Sequence, residues 1–201
     1  DAKERPDHAP AERSRTQVPR VFGGSGAGKS TFLKVIAGQT EATAGDVVMG
    51  ANVHVGYFSQ HSMELLDPER TIYETLREVM PTASNGTVRK LLASFLFSGD
   101  DVDKKVSILS GGEKSRVVLA SILARPLNLL ILDEPTNHLD IQSREVLLDA
   151  LNGFDGTVMI VSHDRHFLRA LANRVIAIAK HEVINYAGDY EYYLYKSEQS
   201  S

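Results

Sequence analysis

Residues 23–31 read "GGSGAGKST", and the spacing from Gly23 through Gly28 and Lys29 to Ser30 is G-x-x-x-x-G-K-[ST]. A loop of this composition turns successive backbone N–H groups toward one point and opens directly into a helix N-terminus, so it binds phosphate. Gly23, Gly24, Ser25, Gly26, Ala27, Gly28, Lys29, Ser30 and Thr31 are therefore the first candidate nucleotide-binding residues. The backbone N–H groups of Gly26, Gly28 and Thr31 are expected to donate to oxyanions. The Lys29 ammonium is expected to reach the β- and γ-phosphates, and the Ser30 hydroxyl to ligate Mg²⁺.

Such a loop normally follows a buried strand. Here the approach is "APAERSRTQVPRVF", which is polar, arginine-rich and interrupted by Pro10 and Pro19. Only "VPRVF" can be a strand, and residues 1–20 read as a tail. Downstream, Phe32, Leu33, Val35 and Ile36 give one apolar helical face, with Gly38 placed to end it. "DVVMG" and "VHVGYF" read as two short strands. Thr71 and Glu74 make a capping box for the helix "IYETLREVM", ended by Pro81, and further helices are expected over about 88–97 and 111–125. "LNLLILDEP" and "TVMIVSHD" are continuous apolar runs, as central parallel strands buried on both faces must be. Helices over about 141–152 and 165–172 alternate with them. The expectation is an α/β fold of the P-loop NTPase kind: a mostly parallel sheet flanked by helices, with an inserted helical subdomain over about 61–109.

Composition narrows the function. At 201 residues there is room for one well-buried domain, and a net charge of −4 supplies no domain-wide field for a nucleic acid. With no cysteine there is neither a disulfide framework nor a thiolate metal site. The charged N-terminus does not resemble an export signal and no apolar run reaches membrane-spanning length, so a cytoplasmic protein with no integral membrane segment is expected.

Two further motifs carry chemistry. Asp133 and Glu134 close the apolar run "LLIL", where Asp133 can hold a metal and Glu134 can polarise a water for attack on a γ-phosphate. "ILSGGEKSR" starts a helix with Ser110, Gly111, Gly112 and Glu113. Ser110 reads either as a plain helix cap or as part of a second phosphate-binding end, serving a nucleotide held on a partner. His163 and His166 in "HDRH" have metal-like spacing, but no third ligand lies nearby in sequence.

Taken together, "GGSGAGKST", Gln60 after a strand, "LSGGE", "LLILDEP" and "SHD" resemble an ATP-binding cassette (ABC) nucleotide-binding domain over residues 21–196, leaving 197–201 as a C-terminal tail. The resemblance implies ATP and Mg²⁺ as ligands and an ATPase reaction. It implies catalytic roles for Glu134, His163 and Gln60, and metal contacts from Ser30, Gln60 and Asp133. It further implies that Ser110, Gly111, Gly112 and Glu113 meet nucleotide across an interface with a second cassette, in the same parent chain or as a homodimer. Asp140 would belong to the loop that communicates across that interface. "DEPTNHLD", "VSHDRHFL" and "INYAGDYEYYLYKSEQ" are similar to the ABC-F group, most like a second cassette. That likeness implies action on the ribosome, its rRNA and tRNA, in translation or in antibiotic-resistance protection. Alternatives are the ATPase subunit of an ABC membrane transporter and a non-catalytic cassette fragment. A chromosome-maintenance ATPase of the same superfamily would need a coiled coil between Gln60 and Ser110, and that stretch is too short. The sequence departs from the pattern in two ways: Ser25 stands where asparagine is usual, and no aromatic residue precedes Phe22 to stack on adenine. The five tail tyrosines, Tyr186, Tyr190, Tyr192, Tyr193 and Tyr195, are expected to pack a terminal strand and helix onto the core rather than to stack on RNA.

Overall fold

The computed structural model describes residues 19–23, 28–179 and 182–199. Residues 1–18 of the expected tail, Gly24, Ser25, Gly26 and Ala27 of the phosphate loop, and residues 200–201 lie outside them. Among the described residues six strands form one sheet: β1 (Pro19–Gly23), β2 (Val55–Phe58), β3 (Leu129–Asp133), β4 (Thr157–Val161), β5 (Arg174–Ala179) and β6 (Glu182–Tyr186). Their order is β2-β3-β4-β1-β5-β6, with every pairing parallel except the β5–β6 edge. A parallel sheet places all its strand C-termini on one edge, which is where ligands bind in open α/β sheets. Gly23, Phe58, Asp133 and Val161 end their strands there.

The period-2 geometry of a strand explains why the apolar runs are continuous. In β3, Leu130 and Leu132 enter one core and Ile131 enters the other; in β4, Val158 and Ile160 part in the same way from Met159 and Val161. The first core is capped by α2 (Ile72–Val79), α3 (Asn85–Ser94), α4 (Gly111–Leu123), α5 (Ile141–Asn152) and α6 (Arg165–Leu171). The second lies under α1 (Lys29–Ile36), whose Leu33 is fully buried against Ile131 and Met159. Truncating Leu33 to alanine would cost about 2–5 kcal/mol and loosen the helix that carries Lys29.

Between β2 and α4 lie α2, α3 and three 3-10 turns (Gln60–Met63, Gly99–Asp103 and Val106–Ile108), joined by turns and irregular stretches, with an isolated bridge pairing Thr71 with Lys105. Thr71 and Glu74 form the expected capping box, and Ser84 caps α3 three residues earlier than the apolar pattern alone suggests. At the C-terminal end, Tyr190 and Tyr193 of α7 (Tyr190–Gln199) pack with Val175 and Ala177 of β5, and Tyr186 meets Tyr193 edge-on at 5.2 Å. The tyrosines at 186, 190 and 193 thus pack the terminal strand and helix.

One expected strand does not form. Asp46–Gly50 ("DVVMG") has no ladder partner among the described residues, and Val48 is 88% exposed. Strand propensity needs a neighbour to pair with, so alternation alone does not make a strand. Conversely "RVIAIA", which pairs as β5 along the whole of β1, went unread because its short alanine-containing pattern does not separate strand from helix.

Candidate functional site

Gly28 caps α1 at φ 83°, in the left-handed region. A Cβ added there would meet nothing within 4 Å, so the requirement for glycine is conformational rather than steric. This turn delivers Lys29 and Ser30 to the sheet edge. The Ser30 hydroxyl donates to Asp133 Oδ1 at 3.1 Å, across 103 positions of sequence, and Asp133 is only 9% exposed. Two oxygen ligands at this separation suit a hard, oxygen-seeking cation such as Mg²⁺.

Glu134 follows with φ 51°, and its N–H donates to the Val161 carbonyl at 2.8 Å. A left-handed backbone at a non-glycine residue costs on the order of 1–2 kcal/mol, held here by the cross-strand bond. The strained turn aims the Glu134 side chain toward β4, where Oε2 accepts the His163 N–H at 3.2 Å. The His163 imidazole Nε2 lies 3.3 Å from Oε1 without forming a hydrogen bond, and buried Oε1 has no hydrogen-bond partner among the described residues. Burial pushes the Glu134 carboxyl above the ordinary range. The His163 N–H and imidazole pull it down, neighbouring Asp133 adds to the rise, and the Lys29 ammonium opposes it. His163 itself is largely open to solvent.

Gln60 starts a single 3-10 turn, Gln60–Met63, just past β2 and at the same sheet edge. It is exposed, and no hydrogen bond joins it to Asp133, Glu134 or Ser30 among the described residues. The structure therefore places it at that edge with no hydrogen bond to those residues among the described ones.

Ser110 is the N-cap of α4: its hydroxyl accepts from Glu113 N at 3.2 Å while Glu113 Oε2 accepts from Ser110 N at 2.8 Å. The Ser110 N–H holds the Glu113 carboxyl below its usual range. Gly112 is required sterically, since a Cβ there would sit 2.8 Å from the His138 carbonyl oxygen. The turn after Glu134, with His138 at φ 68°, is thus packed directly on the start of α4. Asp140 caps α5 by accepting from Ser143 N at 2.7 Å, and hydrogen bonds from Ser143 lower its pKa. Sequence patterns passed over Thr136, Arg144, Ser162 and Asp164, which tie the loops after β3 and β4 together. Thr136, Ser162 and Asp164 fall within the quoted "DEPTNHLD" and "VSHDRHFL" stretches without being singled out there, and Arg144, on α5, has no motif of its own. No group of three metal-ligating His, Asp or Glu side chains occurs among the described residues, so the His163/His166 pair gains no third ligand.

A hydroxyl next to the loop lysine, bonded to a buried aspartate at the carboxyl edge of a parallel sheet, defines a P-loop nucleotide-binding domain. Residues 12–137 match the family described as ABC transporter, and the chain belongs to that family, the ATP-binding cassettes. ABC transporter F family member 5 of Arabidopsis thaliana is 45% identical over 178 residues, 88% of this chain and 26% of the relative. The chain thus spans about a quarter of that relative's length. Among solved structures, an ATP-binding cassette in a dimeric post-hydrolysis state bound to ADP and Pi aligns with TM-score 0.69 over 85% of each chain. At 24% identity this likeness establishes the fold. The archaeal ribosome recycling factor aABCE1, solved in complex with the archaeal ribosomal stalk protein aP1, aligns with TM-score 0.66 and 29% identity, over 80% of this chain and 31% of that one. No helix among the described residues is long and apolar enough to cross a membrane.

Proposed function

We propose that this chain is an ATP-binding and ATP-hydrolysing cassette of the ABC-F type, in which closure on a second cassette drives action on the ribosome. The observation that carries the reading is the convergence of Ser30, Asp133, Glu134 and His163 on one sheet edge beside Lys29. Lys29 would bind the β- and γ-phosphates, with Gly23 to Gly28 and Thr31 lending backbone donors. Ser30 and Asp133 would hold Mg²⁺ with Gln60 completing the set; the ion's chemistry is to neutralise charge building on the phosphates. Glu134 is the base. Its Oε1, without a hydrogen-bond partner among the described residues, is a ready acceptor for a water proton, and burial raises its proton affinity. His163 steadies that carboxylate through its N–H and offers its exposed ring to the γ-phosphate.

In this reading the cassette expected over 21–196 also takes in Pro19 and Arg20, which open β1, and the whole of α7 to Gln199, with 61–109 as its helical subdomain. Ser110, Gly111, Gly112 and Glu113, with Asp140, serve a nucleotide on the second cassette. Similarity to a ribosome recycling factor supports a ribosomal role; rRNA and tRNA as partners, a cytoplasmic location and the preference over a transporter role rest on the ABC-F resemblance of "DEPTNHLD" and "VSHDRHFL".

Titration and turnover test the site together. Lys29→Ala abolishes measurable Mg-ATP binding, whereas Glu134→Gln keeps binding and loses hydrolysis by about a hundredfold or more. Unchanged affinity in the first variant, or parental turnover in the second, contradicts the assignment.

A further inference from the structure

The loop after β3 and the loop after β4 are joined by three successive rungs. Thr136 Oγ1 and Ser162 Oγ share a buried hydrogen bond of 3.0 Å, the His163 N–H meets Glu134 Oε2, and Arg144 meets Asp164. The third rung has a distinctive form. Arg144, on the first turn of α5, donates through Nε to the Leu139 carbonyl at 3.1 Å and through Nη1 to Asp164 Oδ2 at 3.1 Å. Asp164 in turn caps α6 by accepting from Phe167 N, and its own N–H donates to Ser162 Oγ. One planar guanidinium therefore holds both ends: the close of the Glu134–Leu139 turn and the residue that follows His163.

We propose that Arg144 is a positioning residue for the reaction, fixing the register of His163 against Glu134 by clamping Leu139 to Asp164. The inference rests on the proposed hydrolytic role of that pair. Arg144 is the residue suited to this task because its fork reaches two acceptors in fixed geometry, which an ammonium does not reproduce. Clefts of about 370 and 480 Å³, each lined by both Arg144 and Asp164, flank the clamp. Arg144 is 43% exposed but Asp164 only 16%, so removing the guanidinium leaves a half-sheltered carboxylate without its ion pair, and the loss is felt first at the loop that Asp164 anchors.

Arg144→Met and Arg144→Lys in the full chain test this, read by amide hydrogen exchange without ligand and by steady-state ATP hydrolysis. In Arg144→Met, exchange at the His163 and Asp164 amides accelerates about tenfold or more while Val158 and Ile160 in β4 keep parental rates. The same variant loses about ten- to a hundredfold in kcat with KM for Mg-ATP held within about twofold, and Arg144→Lys falls between. Unchanged exchange at the two amides overturns the proposal, as does parental kcat despite faster exchange. Acceleration throughout β4 and α6 also overturns it, by showing a general structural role. A parent chain that hydrolyses no ATP even at concentrations where Mg-ATP pairs it with a second copy defeats the functional reading instead, and the exchange rates still decide whether Arg144 holds His163 to Glu134.

Discussion

At neutral pH an ionised Glu134 works against the ligand-free fold, because its carboxyl is raised mainly by burial and Asp133 adds to the effect. A carboxyl with a raised folded-state pKa holds its proton more tightly folded than unfolded. Stability is therefore greatest below the ordinary glutamate range and falls as pH climbs through the raised value. Glu134→Gln removes the charge and keeps the shape. Its melting temperature should exceed the parent's at about pH 8, by about 2–4 °C per kcal/mol relieved, with the gain shrinking toward about pH 4. A lower melting temperature at both pH values would mean that the His163 contact outweighs burial. Ser30 and the two carboxylates stand out in sequence through two separate motifs, the loop "GGSGAGKST" and the strand end "LLILDEP", while Gln60 and His163 take their expected roles only from the family resemblance. Arg144 was not legible, since a guanidinium with partners at 139 and 164 looks in sequence like any charge on a solvated helix face.

Among elements, the contact between α4 and the turn at Glu134–Leu139 separates two adjacent glycines. Gly112→Ala drives a Cβ into the His138 carbonyl, a backbone atom that cannot swing aside, and should cost about 1–3 kcal/mol in denaturant unfolding. The nearest atom to a Cβ on Gly111 is 3.9 Å away, so Gly111→Ala should unfold close to the parent. Equal losses in both variants would mean that glycine matters here for the helix start and not for the turn packed on it. Helices with polar caps were foreseeable from sequence to within a few residues: the capping boxes at Thr71 and Ser110 and the Asp140 and Asp164 caps each mark a start. The failures were in strands. A strand is defined by its neighbours, so Asp46–Gly50 was overread and β5 missed for the same reason: pairing is a property of two segments, and a pattern describes one.

For the whole molecule, the proposed sharing of Ser110 and Gly112 across an interface makes oligomeric state the decisive measurement. Glu134→Gln with Mg-ATP should shift light scattering from monomer toward a nucleotide-dependent dimer, and parental turnover per chain should rise with concentration. Robust hydrolysis by a species that stays monomeric at every concentration would contradict the shared site.

The position of β1 bears on how the molecule is made. Phe22 pairs with Ala177, about 155 positions later, so the strand leading into the phosphate loop acquires that neighbour only after all the residues between have been made. At cellular elongation rates the wait is roughly 8–30 s. For that interval Leu33 and its helix have no finished sheet to cover them. Long-range parallel pairing of this kind is slow to form even after release. The newborn cassette thus stays vulnerable to aggregation until its last strands emerge, and chaperone capture should concentrate on chains that stop short of β5.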